Sequence, residues 1–110
     1  MKKLIRDKIP ELIKQNPSKK GRGGEEILII KNKQEFLDYI LQKVIEEQKE
    51  LFEEVKNNNL QNILEELADN FEILETLGNH FGFNFDDIVK IKQEKKEKRG
   101  GFEKGYILIK

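Results

Sequence analysis

The chain has 110 residues, of which 36% are hydrophobic and 38% charged, with Lys plus Arg and Asp plus Glu balanced at 21 each. That length predicts one domain spanning residues 1–110, and the balance leaves no global basic field to draw the protein to nucleic acid or a membrane. With no cysteine, and with His80 as the single histidine, disulfides, thiolate nucleophiles, iron–sulfur clusters and sites built from several Cys or His ligands are excluded.

The opening MKKLIRDKIPELI carries basic residues but no uninterrupted apolar run of signal-peptide length, and nowhere do about 18 apolar residues follow one another. The expectation is a soluble, cytoplasmic protein. Residues 8–15, KIPELIKQ, suit a short helix with Pro10 in the first turn, where a missing N–H costs least. NPSKKGRGG, residues 16–24, reads as a turn-rich loop. EILIIK, residues 26–31, is short, apolar and β-branched beside glycines, which predicts a strand.

From Lys33 to Asn57, Leu37, Ile40, Leu41, Val44, Leu51, Phe52 and Val55 recur at three and four, the period of an amphipathic helix. KNNNLQ, residues 56–61, interrupts it. A second helix is predicted from about Leu60 to Leu77, ending near Gly78, so that the two long helices form an antiparallel hairpin. Its main apolar stripe is Ile63, Leu67, Phe71 and Leu74; Glu66, Asn70, Ile73 and Leu77 form an adjoining one. His80 is expected at a helix end. Asn84 is a candidate cap for a third helix that starts with Asp86 and Asp87 and ends in basic residues, each suiting the helix dipole. Arg22-Gly23-Gly24 precedes one apolar run and Arg99-Gly100-Gly101 precedes YILIK, and this echo predicts two short strands that pair with each other at one end of a helical bundle. The predicted fold class is therefore mainly α, a helical bundle with two short peripheral strands.

Residues three apart on a helix share a face. Glu47 therefore points with Glu50, and Glu66 with Asp69, at the edge of the apolar stripes on neighbouring helices. Carboxylates among apolar neighbours are costly unless compensated. Four converging acids are best compensated by a hard divalent cation with oxygen ligands, Mg²⁺ above all, with Mn²⁺ as a substitute; zinc lacks its nitrogen and sulfur ligands here. The competing explanation is a solvated charged face, since ExxE is common in helices.

The pair Glu47-Gln48-Lys49-Glu50 and Glu66-Leu67-Ala68-Asp69 resembles the ExxE and ExxD signature of the all-α nucleoside triphosphate pyrophosphohydrolases, the MazG-like superfamily that includes phosphoribosyl-ATP pyrophosphohydrolase. KLIRDKIPELI, residues 3–13, and KEKRGGFEKGYIL, residues 96–108, are similar to the opening and closing motifs of a small subgroup of it. The loop at 16–25 departs from the usual run. The resemblance implies Mg²⁺-dependent cleavage between the α and β phosphates of a nucleotide, with Glu47, Glu50, Glu66 and Asp69 as metal ligands and Glu46 or Glu47 as proton acceptor. It also implies phosphate clamps drawn from Arg6, Lys8, Lys95, Lys98 and Arg99, with Phe102 either stacking a base or anchoring the tail. Removal of non-standard or excess nucleotides suits it better than histidine biosynthesis.

Two other classes of function compete with this reading. The RGG triplets and the KIKQEKKEKRGG run suggest RNA binding, against which the zero net charge argues; the third class is a helical regulatory module whose acids are surface. The apolar flanks of the long helices exceed what one hairpin covers, which predicts a homodimer or higher homo-oligomer completing a four-helix arrangement.

Overall fold

A computed structural model describes residues 2–15 and 26–110, and within them the chain forms four helices and no strand: α1 (Ile9–Gln15), α2 (Lys33–Asn57), α3 (Leu60–His80) and α4 (Phe85–Arg99). The loop expected at 16–24 lies outside the described residues. The expected strands are not there: residues 26–32 and 106–110 have no regular structure, and no backbone hydrogen bond joins them. β-branched composition alone makes no strand, since each strand needs a ladder partner, and both segments are exposed, with Ile29 and Ile107 almost fully in solvent.

Three consecutive asparagines build the bend of the α2–α3 hairpin. Asn57 ends α2, Asn58 takes the left-handed conformation at φ 55°, and its N–H reaches the carbonyls of Glu54 and Val55. Asn59 then caps α3, accepting a bond from the N–H of Asn62 at 3.0 Å. Asparagine suits both roles, because its short amide tolerates φ above zero and competes well for orphan N–H groups. Asn32 caps α2 through Gln34 and Glu35, and Asn84 caps α4 in a reciprocal capping box with Asp87. Along the hairpin Phe36 meets His80 and Glu47 meets Asn70, so α2 and α3 run antiparallel.

The seam between them differs from expectation. From α3 the seam positions Ile63, Glu66, Asn70, Ile73 and Leu77 are buried or half-buried, while Leu67, Phe71 and Leu74 of the expected main stripe are exposed. From α2 the matching positions are Leu37, Ile40, Val44, Glu47, Leu51 and Glu54. Both sets step by three and four, the seam of a two-helix coil. A second stripe with the same step, Leu60, Leu64, Leu67, Phe71 and Leu74, faces outward, as do Leu41, Ile45, Phe52 and Val55 of α2. Periodicity marks two apolar faces per helix without saying which one is used inside the chain. The chain buries only two apolar side chains among the described residues, Ile40 and Ile73. Its surface of 10043 Å² compares with about 6,300 Å² for a self-contained monomer of this mass, and its radius of gyration of 17.8 Å with about 13 Å.

The end of α3 lies beyond Gly78. The N–H of Phe83 returns to the carbonyl of Gly78 at 2.9 Å and that of Gly82 to Asn79 at 3.0 Å, with Gly82 at φ 86°, which is the glycine-terminated Schellman arrangement. Gly78 lies inside the helix for a different reason: a Cβ there would stand 2.8 Å from Cδ1 of Ile88, so its bareness lets α4 approach α3. His80, the last residue of α3, packs its ring edge-on against Phe36 and Phe81. A Cβ on Gly82 would meet nothing within 4 Å, so Gly82→Ala should cost about 1 kcal/mol through backbone conformation alone, read as a lower urea midpoint with an unchanged slope.

Candidate metal centre

Two turns of the hairpin bring the acids together. α2 presents Glu47 and α3 presents Glu66 and Asp69, with one carboxylate oxygen from each lying within 4.8 Å of the other two. Asn70 sets this register. Its buried side-chain amide donates to the backbone carbonyl of Glu47 at 3.1 Å and to that of Glu66 at 2.7 Å, tying the two acid-bearing turns at the level of the main chain. A buried amide with both N–H groups used is well satisfied and directional, and its bonds position the carboxylates without consuming them.

The carboxylates themselves are poorly compensated. One oxygen of Glu47 and one of Glu66 are buried with no hydrogen-bond partner among the described residues, and Glu54, one helical repeat beyond Glu47, has another. Burial first, and then the negative charges of Glu50 and Glu47, push the Glu66 carboxyl up to about 7. Glu50 is raised in the same way, by burial and by Glu47 and Glu46. Like charges sharing a site produce this pattern. It is the opposite of a solvated acidic face, where water and lysines would leave the oxygens satisfied.

Cations gather at the rim. Lys43 lies 3.0 Å from Glu46 and 3.3 Å from Glu47; burial alone would lower its ammonium, but its bonds to Glu46 and Glu47 outweigh that and hold it above its ordinary value. For Glu46 burial works upward, yet Lys43 and Lys3, the latter at 3.5 Å, hold the carboxyl below the usual range. Arg6, from the segment before α1, donates to Asp69 at 2.6 Å.

The expected site residues thus divide into groups. Glu47, Glu66 and Asp69 meet; Glu50 lies one turn along α2, outside the close trio, near enough to raise Glu66. Arg6 reaches the cluster, whereas Lys8 is exposed and forms no ion pair with it. Lys95 and Arg99 line a separate open cavity of about 420 Å³ at the end of α4 with Lys92, Lys96, Gly100 and Phe102. Lys98 is exposed and outside that lining, and Phe102 is 98% exposed, so it does not anchor the tail within the chain. The sequence shows Asn70 only as a member of the adjoining stripe and gives Lys43 no role, although Lys43 stands at the i,i+3 and i,i+4 spacings from Glu46 and Glu47 that favour helical ion pairs.

The donor set fits a hard cation. All three groups are carboxylates, the oxygen donors that a hard cation such as Mg²⁺ would take. The orphaned oxygens of Glu47 and Glu66 are the ones a cation would satisfy. For the metal-free protein the sign follows from Glu66: its carboxyl titrates at about 7 in the fold and at 4.5 ordinarily, so between those values the folded chain holds a proton that the unfolded chain releases. Stability is then full at low pH and falls as pH rises through that window. The melting temperature in chelator should drop between pH about 5 and about 7.5, and Glu66→Gln should flatten the dependence.

No helix among the described residues is long and apolar enough to cross a membrane. The family model of the MazG nucleotide pyrophosphohydrolase domain matches residues 36–101, which is more than half of the chain and includes α3, α4, nearly all of α2 and the whole acidic trio. No curated protein and no solved structure matches the chain. A carboxylate cluster compatible with a metal, on an all-helical hairpin inside the matched region, agrees with that assignment, and the chain belongs to the MazG nucleotide pyrophosphohydrolase domain family.

Proposed function

We propose that the protein is a divalent-metal-dependent nucleoside triphosphate pyrophosphohydrolase of the cytoplasm that clears unwanted nucleotides. Water attacks the α phosphorus, the bond from that phosphorus to the bridging oxygen breaks, and the products are a nucleoside monophosphate and pyrophosphate. The observation that carries the reading is the pair of buried, unpartnered oxygens on Glu47 and Glu66 beside Asp69. Their donor chemistry suits Mg²⁺ or Mn²⁺.

Glu47, Glu66 and Asp69 are the proposed ligands, with Glu50 beside them. A bound cation supplies neutralisation of phosphate charge and polarisation of the attacked phosphoryl group. The water's proton needs an acceptor. Glu46 is weakened for that task by its two lysines, and Glu47 is committed to the trio. Glu50, outside the trio and with no ion pair among the described residues, has its carboxyl raised above the ordinary value by partial burial and by Glu47 and Glu46, and is the proposed acceptor. Arg6 is placed to meet phosphate oxygens next to Asp69. The basic group of Lys95, Lys98 and Arg99 stands on α4, and Lys8 before α1; for the α4 group to clamp the same phosphates, a second copy brings its own α4 to the cluster.

The outward stripes support that second copy. Phe52, Leu64 and Phe71 are each 62% exposed and sit on seams with the three–four step of interhelical packing. Two hairpins joined along these seams make a four-helix bundle. The surface in excess of a self-contained monomer, about 3,700 Å² per chain, is enough to supply the about 1,000–2,500 Å² that each partner of an obligate dimer buries.

A panel of nucleotides assayed with Mg²⁺ or Mn²⁺ should release pyrophosphate from at least one member and none in chelator. Glu47→Gln and Asp69→Asn should each lower kcat/KM by about a hundredfold or more, the upper end of what even an outer-shell partner is worth, with Glu50→Gln lowering kcat more than it raises KM. Retained turnover in both ligand variants would dismiss this site. Light scattering should report a dimer or larger species, and Phe71→Glu should shift it toward monomer; a monomeric wild type at tens of micromolar would remove the bundle.

A further inference from the structure

We propose that Arg6 is an exchanging cation: in the ligand-free protein it holds Asp69, and on loading it gives Asp69 up to the metal and turns to the phosphates. The inference rests on the metal-centre reading above and concerns how that centre is kept before it fills. Arg6 Nη2 lies 2.6 Å from Asp69 Oδ1, the shortest ion pair among the described residues, and bridges segments 63 positions apart. The pair is half-exposed, with side-chain exposures of 58% and 37%, so it is not a buried strut. The segment that carries Arg6 also places Lys3 on Glu46. The N-terminal arm thus lays two cations over acids from both hairpin helices.

The 2.6 Å charge-assisted bond from Arg6 neutralises part of the charge that Asp69 would offer a cation. A guanidinium next to a divalent ion is also repelled by it. Metal and Arg6 therefore compete for Asp69. Once displaced, the guanidinium remains on a short arm beside the cluster, and its planar fork is matched to phosphate oxygens. Removing Arg6 then has effects of opposite sign on the two ligands, which a merely structural arginine would not produce.

The test uses the full chain and two binding measurements: Mn²⁺ alone by electron paramagnetic resonance, and inorganic pyrophosphate in saturating Mn²⁺ by calorimetry. Arg6→Ala and Arg6→Gln should bind Mn²⁺ about fivefold more tightly than wild type, the upper end of what an exposed ion pair is worth. They should bind pyrophosphate about tenfold more weakly, from loss of a charged hydrogen-bonding partner. Lys3→Ala, whose partner Glu46 lies outside the trio, should change Mn²⁺ affinity less than either Arg6 variant. Mn²⁺ affinity that is unchanged or lower in both Arg6 variants overturns the exchange, as does unaltered pyrophosphate binding; Mn²⁺ binding only when Arg6 is replaced supports it. Melts in chelator show that the variants are folded. If the nucleotide panel releases no pyrophosphate while both binding shifts appear, the catalytic reading fails and the exchange stands.

Discussion

One buried amide organises this protein. Asn70 hydrogen-bonds the main-chain carbonyls of Glu47 and Glu66 at once, and through them the turn that presents one acid to the turn that presents two more. Packing at Ile40 and Ile73 holds the helices against each other, but apolar contact is tolerant of sliding. The amide is not, because its two N–H groups find their acceptors in a single register. Aligning the helices this way uses no carboxylate oxygen. A lysine or arginine in the same place would have aligned them by consuming the acids.

The result is a hairpin whose interface contains charge where a two-helix coil ordinarily holds leucine. Glu47, Glu54 and Glu66 occupy the inward three–four seam, and burial, followed by the charges of Glu50 and Glu47, raises the carboxyl of Glu66. Rim cations offset part of this: Lys43 and Lys3 serve Glu46 and Glu47, and Arg6 serves Asp69. They stand on the flanks, so the orphaned oxygens at the middle stay uncompensated. Under the proposed function, a cation at the acids and apolar burial on the outward seams would offset the stability given up inside the hairpin.

How far the sequence carried this picture depended on whether the deciding interaction was local. The start of α2 at Lys33, its end at Asn57 and the cap at Asn84 follow from neighbours within four residues, and they stand where the pattern placed them. The convergence of Glu47, Glu66 and Asp69 was readable from two ExxE/D spacings on adjacent helices because a tight hairpin leaves little freedom in register. The inward face was not readable: α3 carries two equally periodic stripes, and the choice was made by Asn70 and Ile73, which needed partners on α2. Gly78 was read as a stop, but its role is set by Ile88, ten residues away, while Gly82 ends the helix. The two expected strands failed for the same reason, since a ladder partner is a property of the assembled fold. Arg6 illustrates the limit most clearly: the motif containing it was visible, and its partner 63 residues downstream was not.

The donor set has a chemical consequence. Every group within the trio is a carboxylate, the chain has no cysteine, and its lone histidine packs against phenylalanines away from the acids. Nothing at such a centre can be carried up the sulfur oxidation ladder, and no thiolate is present to trap a soft metal in place of a hard one. The trio offers peroxide no sulfur ligand to oxidise. Whatever hard cation the trio would hold, its ligand atoms are oxygens already beyond that chemistry.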